Sequence, residues 1–332
     1  STGVLIIGHD NAGYTVGEIN SFISKLKWPV IAENPISFPQ ALPHAVLYLS
    51  DPKIRQVLAP ENIIVIGRTT LSRSTNEFIK LAKNLTVIDP RIADVDNNRQ
   101  ADLLVKSLPI DVVSESTSID IWQKSSDLAA IEIKKLVWSE QAAIKCICES
   151  LTSMSALFVG SSRPVRDIEA FTKFQTGVFV FANRGLAGID GNISTVFGIA
   201  KKYQVTNAIM GDLTFLHDIS ALTNSSKENL RIFVIDNNGG GIFSTLPQAG
   251  STGFEQVFGT PHNLDLVKVI SGFGVSVSRV SELAGLELIT KKPIKGFEVV
   301  VVQVPSREVN AQMLKEITQR VSSAVRIGIN LA

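Results

Sequence analysis

A chain of 332 residues, 45% of them hydrophobic and 19% charged, is long enough for two well-buried cores and too apolar to be an unfolded polymer. Its 32 Lys and Arg stand against 31 Asp and Glu, a net charge of +1, so nothing in the charge balance argues for nucleic acid or an anionic membrane. No apolar run approaches the length of a membrane span, and the longest candidate, Val299-Val300-Val301-Val302, reads as a buried strand.

The first residues lack a basic leader, so the expected location is the cytoplasm. The sequence opens on Ser1 and is already in a strand by Val4. A piece of a longer protein, cut at a domain boundary, is the expectation.

Residues 1–112 read as a first α/β domain. Strands are predicted over residues 4–7, 29–32, 63–67 and 85–88, with a helix over 15–26 and another capped by Ser72 or Ser74. Alternating strands and helices imply a parallel sheet. No Gly-x-Gly-x-x-Gly follows the first strand and no Walker loop occurs anywhere, so there is no nucleotide motif. A linker over about 111–118 leads into a long helix predicted to run to about 151. Ile133, Val137, Ile144, Ile147 and Leu151 form its apolar stripe. Cys146 and Cys148, two apart on that helix, point to different faces and make a poor zinc site, which favours reduced thiols.

Residues 113–332 read as a second domain. Strands are predicted over 156–160, 178–181, 206–210, 230–235, 275–277 and 297–304, with a last helix over 308–325. The fold class is therefore α/β, two doubly wound parallel-sheet domains.

The chemistry concentrates where the strands of the second domain end. The apolar run Ala208-Ile209-Met210 stops at Gly211-Asp212, and Ile232-Phe233-Val234-Ile235 stops at Asp236-Asn237-Asn238-Gly239. The spacing fits one strand, a crossover helix and a parallel strand, which puts Asp212 and Asn237 at neighbouring carboxyl ends. Open parallel sheets bind ligands at that edge. A carboxylate and an amide oxygen beside a Gly-rich turn suit a hard divalent cation shared with phosphates. They also suit a plain structural turn.

Two further strand ends, around 160–166 and 183–191, fall on the same edge. Ser162 and Arg166 stand four apart at a helix start, a natural carboxylate or phosphate site, unless Arg166 merely pairs with Asp167 or Glu169. Arg184 lies in a Gly-flanked turn that could aim it at the same place. Of the histidines, His217 reads as a packed or capping residue and His262, after Pro261, as a loop residue able to close over the site. His9 and His44 show no partner pattern.

Together the segments GSSRPVR (160–166), NRGLAGIDGNIST (183–195), GDLTFLHD (211–218) and DNNGGGIFSTLPQ (236–248) resemble the 2-succinyl-5-enolpyruvyl-6-hydroxy-3-cyclohexene-1-carboxylate (SEPHCHC) synthases of menaquinone biosynthesis, within the thiamine-diphosphate enzymes. Gly-Asp-Leu in place of the commoner Gly-Asp-Gly, and Asn-Arg-Gly before Gly-Ile-Asp-Gly, are that family's forms. The resemblance implies that Asp212, Asn237 and the Gly239 carbonyl hold Mg²⁺, for which Mn²⁺ can substitute, and that the metal clamps thiamine diphosphate. It implies cofactor contacts from Ile189, Gly211, Asp212, Leu213, Asn237, Gly239 and Ile242. Ser162, Arg166 and Arg184 match residues that bind substrate carboxylates. Phe243 and Ile242 match apolar residues beside the thiazolium, although both also read as core packing.

The implied reaction is decarboxylation of 2-oxoglutarate and addition of the succinyl carbanion to isochorismate. The family's activating glutamate lies in a preceding domain, so no catalytic residue is assigned here and the chain is expected to be inactive alone. A homodimer or homotetramer is expected of the intact enzyme. Three rivals share parts of the pattern: an acetolactate-synthase or 2-oxoacid-decarboxylase type of thiamine enzyme, a non-catalytic binding module with the same fold, and a nucleotide-dependent dehydrogenase. Leu213 and the Asn183-Arg184-Gly185 turn speak against the first, intact Asp212, Asn237 and Gly239 against the second, and the missing phosphate-loop glycines against the third.

Overall fold

The computed structural model describes residues 2–91, 101–112, 114–224 and 227–331. The chain forms two compact units. The first comprises Ser1–Lys135, Ile168–Phe174 and Ile317–Ala332, the second Leu136–Asp167 and Gln175–Glu316.

In the first unit the elements are β1 (Gly3–Ile7), α1 (Val16–Leu26), β2 (Val30–Ala32), α2 (Ala45–Tyr48), α3 (Pro52–Leu58), β3 (Asn62–Ile66), α4 (Arg73–Ile79), β4 (Asn84–Ile88), β5 (Leu103–Val105) and α5 (Asp120–Ile133). The strands form one sheet in the order β2-β1-β3-β4-β5, parallel throughout. Every residue of β1 is buried, as a parallel strand covered on both faces requires. The helix predicted over 15–26 forms because Thr15 and Glu18 close a capping box. Thr15 Oγ1 accepts from the Glu18 N–H at 3.2 Å, and the Thr15 N–H donates to Glu18 Oε2 at 2.8 Å. Its stripe of Ile19, Phe22, Ile23 and Leu26 packs into the core around Leu5, Ile7 and Ile66.

Several expectations for this unit are corrected. A single cut between residues 112 and 113 does not describe the division, because α5 packs with the first unit. Trp122 on α5 meets the rings of Tyr48 and Phe78 at 6.3 and 5.6 Å, both edge-on. Val113 itself lies outside the described residues. His9 and His44 do have partners: His9 Nδ1 lies 2.9 Å from the Thr69 carbonyl oxygen and His44 Nδ1 2.8 Å from that of Ala170.

The second unit carries α6 (Glu140–Glu149), β6 (Ala156–Val159), β7 (Phe179–Phe181), α8 (Asn192–Ala200), β8 (Thr206–Gly211), α9 (Asp212–His217), β9 (Leu230–Asp236), α10 (Leu266–Ser271), β10 (Ser276–Val280), α11 (Leu283–Thr290) and β11 (Phe297–Gln303). The division between units passes through two helices, here called αA (Arg163–Phe171) and αB (Arg307–Gly328). The strand order β10-β11-β9-β8-β6-β7 is parallel throughout. Because β6 has β7 on one side and β8 on the other, chain direction across the sheet reverses there, which opens the crevice that such sheets use for ligands. Phe158, Met210, Val234 and Val301 belong to its core.

The long helix predicted up to residue 151 is two helices. α5 stops at Ile133, and Ser139, in extended conformation, starts α6 by accepting from the Ala142 N–H at 3.2 Å. Val137, counted in the apolar stripe, falls in the break and is 64% exposed. Cys148 on α6 is buried and Cys146 half-buried, and burial raises the Cys146 thiol to about 11. Among the described residues no helix is long and apolar enough to cross a membrane.

Phe158 is fully buried on the central strand β6. Phe158→Ala is expected to destabilise the second unit by roughly 3–5 kcal/mol through the cavity it leaves. Equilibrium denaturation of the full-length protein, followed by fluorescence, checks this.

Candidate functional site

The parallel register fixes the site's geometry before any side chain is considered. Gly211 on β8 pairs with Ile235 on β9, so Asp212 and Asn237 emerge at neighbouring strand ends. The two loops are joined directly: Asp212 Oδ2 accepts from the Gly239 N–H at 2.8 Å, while Asp212 Oδ1 accepts from the Leu213 N–H at 2.6 Å. Both Asp212 and Asn237 are buried. Gly239 adopts φ +134°, and a Cβ there would stand 2.2 Å from the Gly259 carbonyl oxygen. Only glycine allows the loop to pack so closely on residues 258–260.

Two groups that the sequence reading undervalued or passed over complete this corner. His262 Nε2 lies 3.3 Å from Asp212 Oδ2 and 3.5 Å from Asp236 Oδ1. One potential ligand atom from each of Asp212, Asp236 and His262 falls within 4.8 Å of the others. The hydrogen bond to Asp212 raises the His262 pKa above its ordinary value, with the Asp236 charge adding to it. Burial raises that of Asp236, and the charge of Asp212 pushes it the same way.

Behind Asn237 lies a buried acidic group that the sequence gave no reason to single out. Glu140, at the start of α6, hydrogen-bonds with the Asn237 side chain, and burial pushes its pKa up to about 8. Asp167 is also buried and raised to about 6 by desolvation, although Arg163 pairs with it. The only advance signal was Ser139 preceding an acidic residue, an N-cap pattern that the continuous apolar periodicity obscured.

The remaining expected site residues distribute along the same sheet edge. Ser162 stands just before αA, with φ +72°, and the Arg166 Nη1–H donates to its carbonyl oxygen at 2.7 Å. Asp167 takes Arg163 as its ion-pair partner. Arg184 and Ile189 are half-buried in the loop between β7 and α8. Ile242 and Phe243 are half-buried beyond the glycine loop, where Phe243 meets Phe258 at 5.5 Å. His217 is exposed in the last turn of α9 and does not pack.

The donor set can be tested against a metal. Asn237 Oδ1 is buried and has no hydrogen-bond partner. An orphaned buried acceptor carries a desolvation penalty of about 1–3 kcal/mol. A hard cation that takes carboxylate, amide and carbonyl oxygens would relieve it. The residues present therefore fit a divalent ion of the Mg²⁺ type.

Residues 168–304 match the family described as thiamine pyrophosphate enzyme, C-terminal TPP binding domain. The chain thus belongs to the thiamine pyrophosphate enzymes. Within them it groups with the SEPHCHC synthases. It is 29% identical to the one from Lysinibacillus sphaericus (strain C3-41), aligning over 98% of this chain and 62% of the relative. It is 30% identical to that from Thermobifida fusca (strain YX), over 98% and 61%. The chain spans about three fifths of the length of these curated relatives.

The His262 shift predicts a pH signature in the cation-free protein. Its charged form is favoured in the fold, so the stabilisation it contributes is complete below the unfolded imidazole value of about 6.5. It fades as pH rises through the higher folded value. An NMR titration of the imidazole ring should place its midpoint above that of an unfolded reference, and His262→Ala should remove that stabilisation from the acid side of the stability curve.

Proposed function

We propose that this chain carries the diphosphate- and cation-binding part of a thiamine-diphosphate-dependent SEPHCHC synthase, a transferase that decarboxylates 2-oxoglutarate and joins the succinyl unit to isochorismate for menaquinone. The observation that carries the reading is the pairing of Asp212 and Asn237 at adjacent strand ends, with the Asn237 amide oxygen buried and unpaired beside a glycine loop.

In this reading Asp212 and Asn237 give side-chain oxygens, and Gly239 its carbonyl oxygen, to Mg²⁺ or Mn²⁺. Gly211, Leu213, Ile189 and Ile242 border the cofactor. Thiamine diphosphate, when bound, supplies the carbanion chemistry for decarboxylation and carbon–carbon bond formation. The chain's own residues hold and orient. Both substrates are polyanionic at neutral pH, and the guanidinium groups of Arg166 and Arg184, with Ser162, suit their carboxylates. Phe243 lines the pocket and limits water. The activating glutamate comes from the preceding domain of the full-length protein, so this stretch alone does not turn over. The enzyme works as a homodimer or homotetramer in the cytoplasm, a reducing compartment that suits its two unpaired cysteines.

Assay of the full-length protein with both substrates tests this. Asp212→Ala and Asn237→Ala should each abolish measurable turnover and the Mg²⁺-dependent binding of thiamine diphosphate. Arg184→Ala should raise the KM for one of the two substrates by roughly 10- to 100-fold, the loss of a charge-assisted hydrogen bond. Full turnover by Asp212→Ala, or turnover with neither substrate in the wild type, would refute the assignment.

A further inference from the structure

We propose that Glu140 is a positioning residue that fixes which way the Asn237 amide faces, so that its oxygen and not its nitrogen meets the cation. The inference rests on the proposed role of Asn237 as a cation ligand and adds a residue to it.

An asparagine amide presents a donor end and an acceptor end of nearly the same shape, and its environment must choose between them. A carboxylate can only accept. Glu140, 3% exposed, hydrogen-bonds with the Asn237 side chain, and this bond selects Nδ2 as the end that faces it. On the same side a Cβ at Gly241 would lie 2.4 Å from Asn237 Nδ2 but 3.5 Å from Oδ1. The nitrogen is thus wedged against the glycine backbone while the oxygen points elsewhere. That oxygen is the buried atom without a partner.

Glu140 is itself held in place. Its N–H donates to Asn310 Oδ1 at 2.8 Å, and Asn310 Nδ2 donates in turn to the Pro305 carbonyl oxygen at 2.6 Å. The preceding Trp138 Nε1–H donates to the Gln303 carbonyl oxygen at 3.2 Å. The first turn of α6 is therefore anchored to the chain that leaves β11, the strand beside β9. A helix start is also where a carboxylate is best tolerated. A flipped amide would leave the Glu140 carboxylate against an oxygen and turn an N–H₂ group toward the cation, so both errors are excluded by one contact.

The test is Mn²⁺ binding by the full-length protein with saturating thiamine diphosphate, followed by loss of the free-ion EPR signal. Asn237→Ala and Glu140→Ala should each weaken Mn²⁺ by roughly 10- to 100-fold, as supporting-shell changes do. The deciding pair is Asn237→Asp and the double variant Glu140→Gln with Asn237→Asp. The single change sets two buried carboxylates against each other and should weaken Mn²⁺. The added glutamine, with the volume of glutamate, can donate to Asp and should recover roughly tenfold or more, on the scale of the supporting-shell effect. If Asn237→Ala leaves Mn²⁺ affinity unchanged, the cation-site reading fails and this inference with it. If Asn237→Ala weakens binding while Glu140→Ala does not, or if the double variant binds no better than Asn237→Asp or fails to fold, the cation site stands and the positioning role of Glu140 is overturned.

Discussion

The hydrogen bond from the Gly239 N–H to Asp212 Oδ2, 2.8 Å long, is the contact on which the second unit's site depends. It crosses from the end of β9 to the end of β8, two strands whose register is already set by the paired apolar runs above. Without it the glycine loop after β9 would have no reason to fold back over Asp212. With it, Asn237 is drawn inward and buried, and the segment around Gly259 closes on the loop from outside. The core therefore places the strand ends, and one backbone-to-carboxylate bond converts their nearness into a cradle.

Much of this was legible in the sequence because it follows from period and chemistry at the same positions. Continuous apolar runs such as 232–235 and 299–302 are read as buried parallel strands because both faces must be covered, and the structure has them in β9 and β11. Asp212 and Asn237 were visible because each interrupts such a run at its carboxyl end. What was hidden depends on contacts distant in sequence. Glu140 meets Asn237 only because α6 packs beside the sheet, and His262 meets Asp212 across 50 residues of chain. The strand β5 was passed over because its Leu103 and Leu104 are exposed, at 56% and 58%, on an edge strand of three residues. The break at 134–139 was missed for the opposite reason: apolar spacing continued through it, while the Ser139 cap that decides the matter is a single residue.

The two units share an architecture and differ in how they treat charge at the carboxyl edge of the sheet. In the first, Arg91 pairs with both Asp10 and Asp89, so its carboxylates are neutralised by the chain itself. In the second, Asp212, Asp236 and Glu140 gather around the ends of β8 and β9. The cationic groups set against them are His262 and Arg163, and Arg163 is already paired with Asp167.

Burial favours the neutral form of each such acid, which is the direction of the shifts at Glu140 and Asp236. A fold can sustain that arrangement in two ways: keep protons on the acids, or admit a cation from outside. The unpaired Asn237 oxygen decides between them. A proton on Glu140 or Asp236 relieves charge repulsion but leaves that acceptor unsatisfied, whereas a divalent ion relieves both. The edge of the second sheet is therefore an incomplete polar network whose missing member is a hard cation with an anion on its far side, and the matching edge of the first sheet, closed by Arg91, has no comparable demand.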